Sequence, residues 1–164
     1  MPIPNILQPE ILPVAEGLRL RKFDDIFDFA LEWYQDTDLV WQVDGDRVPY
    51  TPELLAKMYR WLNDAGELYF IEVLENGTYK PIGDVTFWQE DMPIVIGEAR
   101  YRGKGIGKAV ISALIQRGRD LGFDTLHVEE IYDWNTASRT CFQSMGFQEC
   151  GKTKKGNRFV LYLK

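Results

Sequence analysis

The stretch Met92-Pro93-Ile94-Val95-Ile96-Gly97-Glu98-Ala99-Arg100-Tyr101-Arg102-Gly103-Lys104-Gly105-Ile106-Gly107-Lys108 decides the fold of this chain. Its first part, Met92–Glu98, reads as a strand. Arg102–Gly107 is a glycine-rich turn, and a helix follows with Val110, Ile111, Leu114, Ile115 and Leu121 on one face and Gly122 as its stop. A turn of this kind between strand and helix presents backbone N–H groups at the positive end of the helix dipole, which is a site for phosphate. Two common phosphate loops are excluded by spacing. The nucleoside-triphosphate loop needs one more residue between its glycines and Ser or Thr after the lysine, whereas Lys108 is followed by Ala109. The dinucleotide fingerprint needs glycine where Lys108 stands.

Working outward, Thr125–Ile131 is again a strand, so residues 92–131 form a strand–helix–strand unit with a right-handed parallel crossover. Thr136–Met145 reads as a short helix ended by Gly146, and Gln148–Lys154 with Arg158–Leu163 as a closing hairpin around Gly156-Asn157. Upstream, Leu68–Leu74 and Pro81–Phe87 flank the hairpin turn Glu75-Asn76-Gly77-Thr78. Thr51-Pro52 opens a helix carrying Leu54, Leu55, Met58, Trp61 and Leu62 on one face, which places Trp61 in the core. Asp24 or Asp25 caps an earlier helix with Ile26, Phe27, Ala30, Leu31, Trp33 and Tyr34 at helical spacing, Trp33 also reading as core. Leu18–Phe23 alternates as a half-buried strand. Residues 1–15, with four prolines, read as an extended arm on the body. Residues 1–164 thus read as one domain of α+β class. A mixed, mostly antiparallel sheet of six to seven strands is flanked by about four helices.

The chain has 164 residues, 45% apolar and 27% charged, as in ordinary globular proteins. No window approaches the roughly 20 apolar residues of a membrane helix, and Met1–Pro13 lacks the pattern of a signal peptide, so a cytoplasmic protein is expected. Cys141, Cys150 and the lone His127 are too few for a disulfide scaffold or a metal cluster, and no metal is expected. A Cys141–His127 hydrolase is disfavoured, because Cys141 falls on the apolar face of its helix with Ala137 and Met145. The net charge of −6 argues against a nucleic-acid partner. That charge is unevenly placed. Residues 1–90 hold seven Lys and Arg against seventeen Asp and Glu, a balance of −10, whereas residues 91–164 balance at +4. Asp24, Asp25, Asp28, Glu32, Asp36, Asp38, Asp44 and Asp46 follow one another without a single basic residue between them.

The turn Arg102-Gly103-Lys104-Gly105-Ile106-Gly107 resembles the Arg/Gln-x-x-Gly-x-Gly/Ala loop of the GNAT superfamily of N-acetyltransferases. Asn135-Thr136-Ala137-Ser138, followed by a helix and Gly146-Phe147, is similar to that superfamily's second signature. The motifs stand in the right order about 30 residues apart, and the likeness is clear over residues 81–163. In its two leading helices the layout resembles the branch acting on ribosomal-protein N-termini and aminoglycoside 6′-amines. The resemblance implies an enzyme using acetyl-CoA, whose pantetheine arm lies between two parallel strands splayed apart. It implies cofactor contacts at Ile96, Gly97, Arg102, Gly103, Lys104, Gly105, Ile106, Gly107, Lys108, Asn135 and Phe142. Arg100 adds to the basic cluster around the loop.

Transfer to an amine needs a base, because an alkylammonium with pKa about 10.4 is mostly protonated at neutral pH. Glu98, at the end of the strand abutting the thioester, is the first candidate, with Glu129, Glu130, Asp133 and Asp84 as competitors. The oxyanion donor is expected to be a backbone N–H near Gly97 or Glu98. Many members carry a tyrosine acid where this chain has Phe142; a thiol with pKa about 8.5 can leave without one. Asn135 holds the cofactor or a water, or caps its helix, or both. The acceptor is expected to be a cationic small molecule or peptide amine, received by Trp33, Asp36, Trp41, Asp44, Asp84 and Glu98. A monomer or homodimer is expected. The alternative is a non-catalytic acyl-CoA sensing module.

Overall fold

Leu18–Lys22 (β2) folds back on Ile11–Ala15 (β1) through a turn at Gly17, whose φ of +70° favours glycine. The computed structural model describes residues 1–164 and so corrects the expected arm at its C-terminal end. Residues 11–15 are an edge strand, a position that tolerates Pro13. The rest of the arm is pinned by buried Ile3 and by Gln8, whose side chain donates to the Leu68 carbonyl at 3.0 Å.

The single helix expected around Ile26–Tyr34 is instead two short ones. Asp24 accepts the Ile26 N–H, a turn of 3-10 helix covers Asp28–Ala30, and Leu31–Gln35 (α1) follows. Asp36 then caps Thr37–Asp44 (α2) by accepting from the Asp38 and Leu39 amides. Pro52–Ala65 (α3) begins as anticipated, with Thr51 capping the Leu54 N–H and proline in the first turn. Its buried face is Leu55, Tyr59 and Leu62. Leu54 and Trp61 lie outside, Trp61 61% exposed and edge-on to Trp88, which corrects the core assignment of Trp61. Trp33, by contrast, is buried.

Glu67–Glu75 (β3) and Thr78–Phe87 (β4) are joined by Asn76-Gly77, both at positive φ, the backbone a two-residue hairpin needs. Ile94–Ile96 (β5), Ile106–Asp120 (α4), Thr125–Tyr132 (β6), Thr136–Ser144 (α5), Gln148–Lys152 (β7) and Gly156–Tyr162 (β8) complete the chain. The eight strands make two antiparallel sheets, ordered β1-β2-β3-β4-β5 and β6-β8-β7. No ladder joins β5 to β6. The α+β class and the splayed pair stand as read from sequence, with the N-terminal hairpin supplying an extra strand.

Helices α4 and α5 cover one face, over a core that includes Leu20, Ile71, Ile82, Ile111, Leu114 and Phe159. Helices α1 and α3 cover the other, over Tyr34, Tyr59, Leu55, Phe70 and Val95. Each such side chain contributes roughly 1.5–3 kcal/mol by leaving water. The buried carboxylates are paired, whereas the buried Thr86 hydroxyl has no partner. Glu67 takes both arms of Arg117 at 2.6 and 2.7 Å, fixing the C-terminal half of α4 to β3. Asp84 on β4 accepts the Tyr34 and Tyr59 hydroxyls at 2.7 and 2.8 Å. No helix is long and apolar enough to cross a membrane.

Burial pushes the Asp84 carboxyl up to about 6, against the pull of its two tyrosine hydrogen bonds. A carboxyl raised above its unfolded value of about 3.9 favours the fold in its protonated form, and this contribution is lost as pH rises through 6. The unfolding free energy of the wild type minus that of Asp84→Asn, measured in urea, is therefore expected to fall by about 2–3 kcal/mol from pH 4 to pH 7. A flat difference would contradict it.

Candidate functional site

The two sheets are joined at one end by a few hydrogen bonds and are free at the other. Gln89 accepts the His127 N–H through its carbonyl at 2.9 Å, and its side chain donates to the Thr125 carbonyl at 3.2 Å. Two residues on, Asp91 Oδ1 accepts the amides of Met92 and Glu129 at 2.9 and 3.1 Å. The partners advance together, 89 with 127 and 91 with 129, so the chains run parallel. Beyond this joint they separate around a cleft of about 400 Å³, walled by Ile94 and Val95 on one side and Glu130 and Ile131 on the other. Gln42 and Val43 of α2 and Asn135, Ser138 and Phe142 of α5 close it.

The β5 wall offers main-chain groups. Gly97 and Glu98 both donate to the Ile82 carbonyl, at 2.8 and 3.0 Å, while Thr86 donates to Pro93. By the alternation of an antiparallel ladder, Ile94 and Ile96 turn their N–H and C=O groups away from β4, toward the cleft. This corrects the expected oxyanion donor, because the Gly97 and Glu98 amides are already used and the free ones belong to Ile94 and Ile96. Gly97 is also glycine for a reason other than access for a ligand. A Cβ there would lie 2.2 Å from the Trp33 indole.

At the N-terminus of α4, Gly103 and Gly105 have φ of +71° and +81°. From Gly103 to Lys108, six successive amides donate to no acceptor in the protein, and no side chain caps the helix. Lys104 and Lys108 are exposed beside them. Arg102 lays its guanidinium on the β5 end, Nε to Ile96 O at 2.8 Å and Nη2 to Gly97 O at 3.2 Å. Arg100 is committed elsewhere, to Glu75 at 2.6 Å.

On the opposite wall Asn135 caps α5, Oδ1 accepting the Ser138 amide at 3.2 Å, and reaches Gln42 O through Nδ2 at 3.4 Å. Trp134 donates to Trp41 O at 3.0 Å, and Tyr132 reaches Asp44 O at 3.4 Å. Trp41, Trp134 and Tyr132 stack with centroids 4.5 and 4.7 Å apart. These contacts satisfy carbonyls at the C-terminal end of α2 and draw it over the cleft as a roof. Phe142 is buried on the cleft floor, edge-on to Phe147.

The residues expected to receive a substrate are not gathered in one place. Trp33 and Asp84 are buried in the α1–α3 core, and Asp36 is spent as a helix cap. Asp44 accepts the Tyr50 hydroxyl at 2.6 Å in the roof region, its carboxyl raised by burial, and Trp41 is in the roof stack. Glu98 lies 3.7 Å from Lys80 and is not among the cleft walls. Glu130 is held by Thr153 and the Lys155 amide, and Asp133 faces Arg139 at 3.4 Å. Cys141 packs near Gly107 with its thiol pushed up by burial, and no hydrogen bond joins it to His127. The residue the sequence reading missed is Asp91. Burial raises its carboxyl to about 6, against the Glu129 and Met92 amides that lower it. One of two adjacent acids, Glu90-Asp91, just before a strand gave little signal beyond its place ahead of Pro93.

Residues 17–148 match the family model described as acetyltransferase (GNAT) domain. The chain belongs to the GNAT acetyltransferase family. A curated relative, an uncharacterized protein of Methanocaldococcus jannaschii, is 31% identical over 102 residues, 58% of this chain and 20% of that protein. The match thus spans about a fifth of the relative's length. A crystal structure of a domain from Methanocaldococcus jannaschii superposes with TM-score 0.77 at 20% identity, covering 89% of this chain and 98% of that one. RimL, a ribosomal L7/L12 α-N-protein acetyltransferase solved with coenzyme A, gives 0.74 at 17% identity over 93% and 98%. The aminoglycoside acetyltransferase AAC(6′)-Ib, also with coenzyme A, gives 0.70 at 18% over 89% and 95%. These structures share the GNAT fold with this chain.

The Gly97–Trp33 contact yields a stability test. Gly97→Ala is expected to cost about 1–3 kcal/mol by overpacking, and clearly less in a Trp33→Leu background where the indole is gone. Equal costs in both backgrounds, from urea denaturation, would refute the contact.

Proposed function

We propose that this GNAT protein transfers the acetyl group of acetyl-CoA to a primary amine in a ternary complex. The observation that carries the reading is the run of six unpaired amides, Gly103 to Lys108, next to an open strand edge at Ile94 and Ile96. The fit to the cofactor is chemical. Successive N–H groups at a helix N-terminus suit a diphosphate, and nothing lies within 4 Å of the space a side chain would fill at Gly103 or Gly105. The Ile94 N–H and C=O and the Ile96 N–H offer the alternating groups that an extended amide chain pairs with, the Ile96 carbonyl being held by Arg102. When bound, acetyl-CoA supplies the activated acyl carbon.

The protein's own groups then have separable tasks. The Ile96 or Ile94 N–H is placed to donate to a carbonyl oxygen gaining charge in the cleft. Asn135 and Phe142 shape the far wall. Phe142 has no proton to give, so departure of the thiolate relies on its own low basicity. For the base we assign Asp91 ahead of Glu98. Asp91 lines the cleft, its Oδ1 is fixed by two amides, and Oδ2 takes part in none of its hydrogen bonds. A carboxyl raised to about 6 is better matched to accepting a proton near neutrality than an ordinary one.

The acceptor we infer is cationic, a peptide N-terminus or an aminoglycoside-like or other small amine. Glu129, Glu130 and Asp91 border the cleft, and α2, which roofs it through Gln42 and Val43, lies in the acidic segment Asp36–Asp46. The named activities of RimL and AAC(6′)-Ib fall in these two classes. Phe142 in place of an acid is the one feature favouring a non-catalytic acyl-CoA sensor. Release of free thiol from acetyl-CoA across a panel of amines decides between them: amine-dependent release is expected, and binding without release would establish the sensor.

Two variants test the site. Gly105→Val forces a β-branched residue into φ +81° and fills the space beside the amides, so coenzyme A affinity measured by calorimetry is expected to drop about 100-fold. Asp91→Asn keeps the oxygen that takes both amides and replaces only the other. It is expected to lower kcat/KM about 100-fold with coenzyme A binding intact, and to remove a pH-rate limb near 6. Activity within twofold of wild type would return the role to Glu98.

A further inference from the structure

Arg158 stands on β8 where the three-stranded sheet is irregular. The β6–β8 register passes from Val128 opposite Phe159 to Ile131 opposite Asn157, so Arg158 stands opposite a bulge made of Glu129 and Glu130. Its other neighbour in the sheet is Gly151, which has no side chain to crowd it. The guanidinium crosses to the turn between β4 and β5, where Nη2 reaches Glu90 Oε2 at 3.0 Å. No other ion pair links this sheet to that turn. Glu90 precedes Asp91, and Asp91 in turn accepts the Glu129 amide at 3.1 Å. Arg158 is therefore tied to Asp91 from both sides, through the ion pair to residue 90 and through the ladder to the bulge at residue 129.

The charges around Asp91 are few. Glu130 is spent on Thr153 and the Lys155 amide, and the Lys155 ammonium lies by Gly45 of α2. Near Asp91 the other cleft walls bring Gln42 and Val43 from α2, Asn135 and Ser138 from α5 and the Tyr132 phenol from β6, none of them charged at neutral pH. Glu90 and Glu129 remain, and Arg158 is the cation that answers them. An exposed pair such as Arg158–Glu90 adds little to stability. Its charge, however, acts on a neighbouring carboxyl that is largely out of water and so weakly screened. The Arg158 Nε is itself buried and makes no hydrogen bond. Burial raises the Asp91 carboxyl; Glu129 adds to the rise and Arg158 opposes it.

We propose that Arg158 is a positioning residue that acts through Asp91: held on Glu90, its positive charge offsets Glu129 and keeps the Asp91 carboxyl ionised, able to take the proton of the attacking amine. The proposal rests on Asp91 being the base. The Asp91 carboxyl is titrated by carbon-13 NMR in the free protein, its signal identified by its loss in Asp91→Asn. In Arg158→Gln the midpoint is expected to rise by about half a pH unit or more, and in Glu129→Gln to fall. Arg158→Lys keeps the charge and restores most of the wild-type value. The acid limb of kcat/KM for thiol release follows, with Arg158→Gln about threefold slower than wild type at pH 5.5 and close to it at pH 8. Hydrogen exchange of the Glu129 amide stays as slow as in wild type, because the carboxylate still holds it. An unmoved midpoint in Arg158→Gln overturns the proposal, and so does faster exchange at Glu129, which would make Arg158 a mechanical prop of the turn. If the midpoint moves as stated while Asp91→Asn keeps its turnover, the charge coupling stands and the assignment of the base to Asp91 falls.

Discussion

The joint between the two sheets governs everything that the rest of the molecule displays. Strand pairing would ordinarily continue from β4 through β5 to β6. Here it is reduced to contacts made by Gln89 and Asp91, one of them with a side-chain carboxylate standing in for a backbone carbonyl. Asp91 therefore does two things with its two oxygens. One ends the pairing, and the other takes no hydrogen bond, on a residue that lines the space the ended pairing creates. Because unpaired strand edges are costly to bury and prone to recruit other strands, a cleft with such an edge on one wall is stable only while water or a ligand satisfies it.

Three elements then fix the shape of that cleft from different directions. Arg117, clamped by Glu67, holds α4 against β3 and so sets where the unpaired amides point. The Trp33 indole bears on Gly97 and sets the end of β5 from the opposite face. The stack of Trp41, Trp134 and Tyr132 sets the distance between α2 and the β6–α5 connection. The chain's charge of −6 is the sum of an acidic part, residues 1–90, and a basic remainder, and ion pairs such as Arg100–Glu75 and Arg158–Glu90 join the two.

What could be read from the sequence was whatever is encoded locally. The turn from Arg102 to Gly107, the Asn76-Gly77 hairpin, the Thr51-Pro52 start and the Asn135 cap each carry their own chemistry within a few residues, and each is where the sequence placed it. Helix α2 was missed although Asp36 is a good cap, because the longer apolar pattern around it suggested one helix with a loop. Trp61 was misplaced because α3 has apolar residues on more than one side, and only packing shows that Tyr59 is the inward one. The substrate face was the least legible. Asp84, Trp33 and Asp44 look alike to composition, and burial against tyrosines, glycine or a helix end is a property of distant partners. Asp91 matters through an amide 38 residues away.

The order of strands in the smaller sheet bears on how the cleft comes into being. β8 lies between β6 and β7, which have no ladder with each other. Without β8, β6 would have no ladder partner and only the joint at Gln89 and Asp91 to hold it, so the Tyr132–Asn135 corner that meets the C-terminal carbonyls of α2 would lose its main support. The N-terminal sheet and α4 can be assembled earlier from contacts already present in their own residues. The cleft wall formed by β6 and the corner after it thus depends on the last strand of the chain, which stands between the two that precede it.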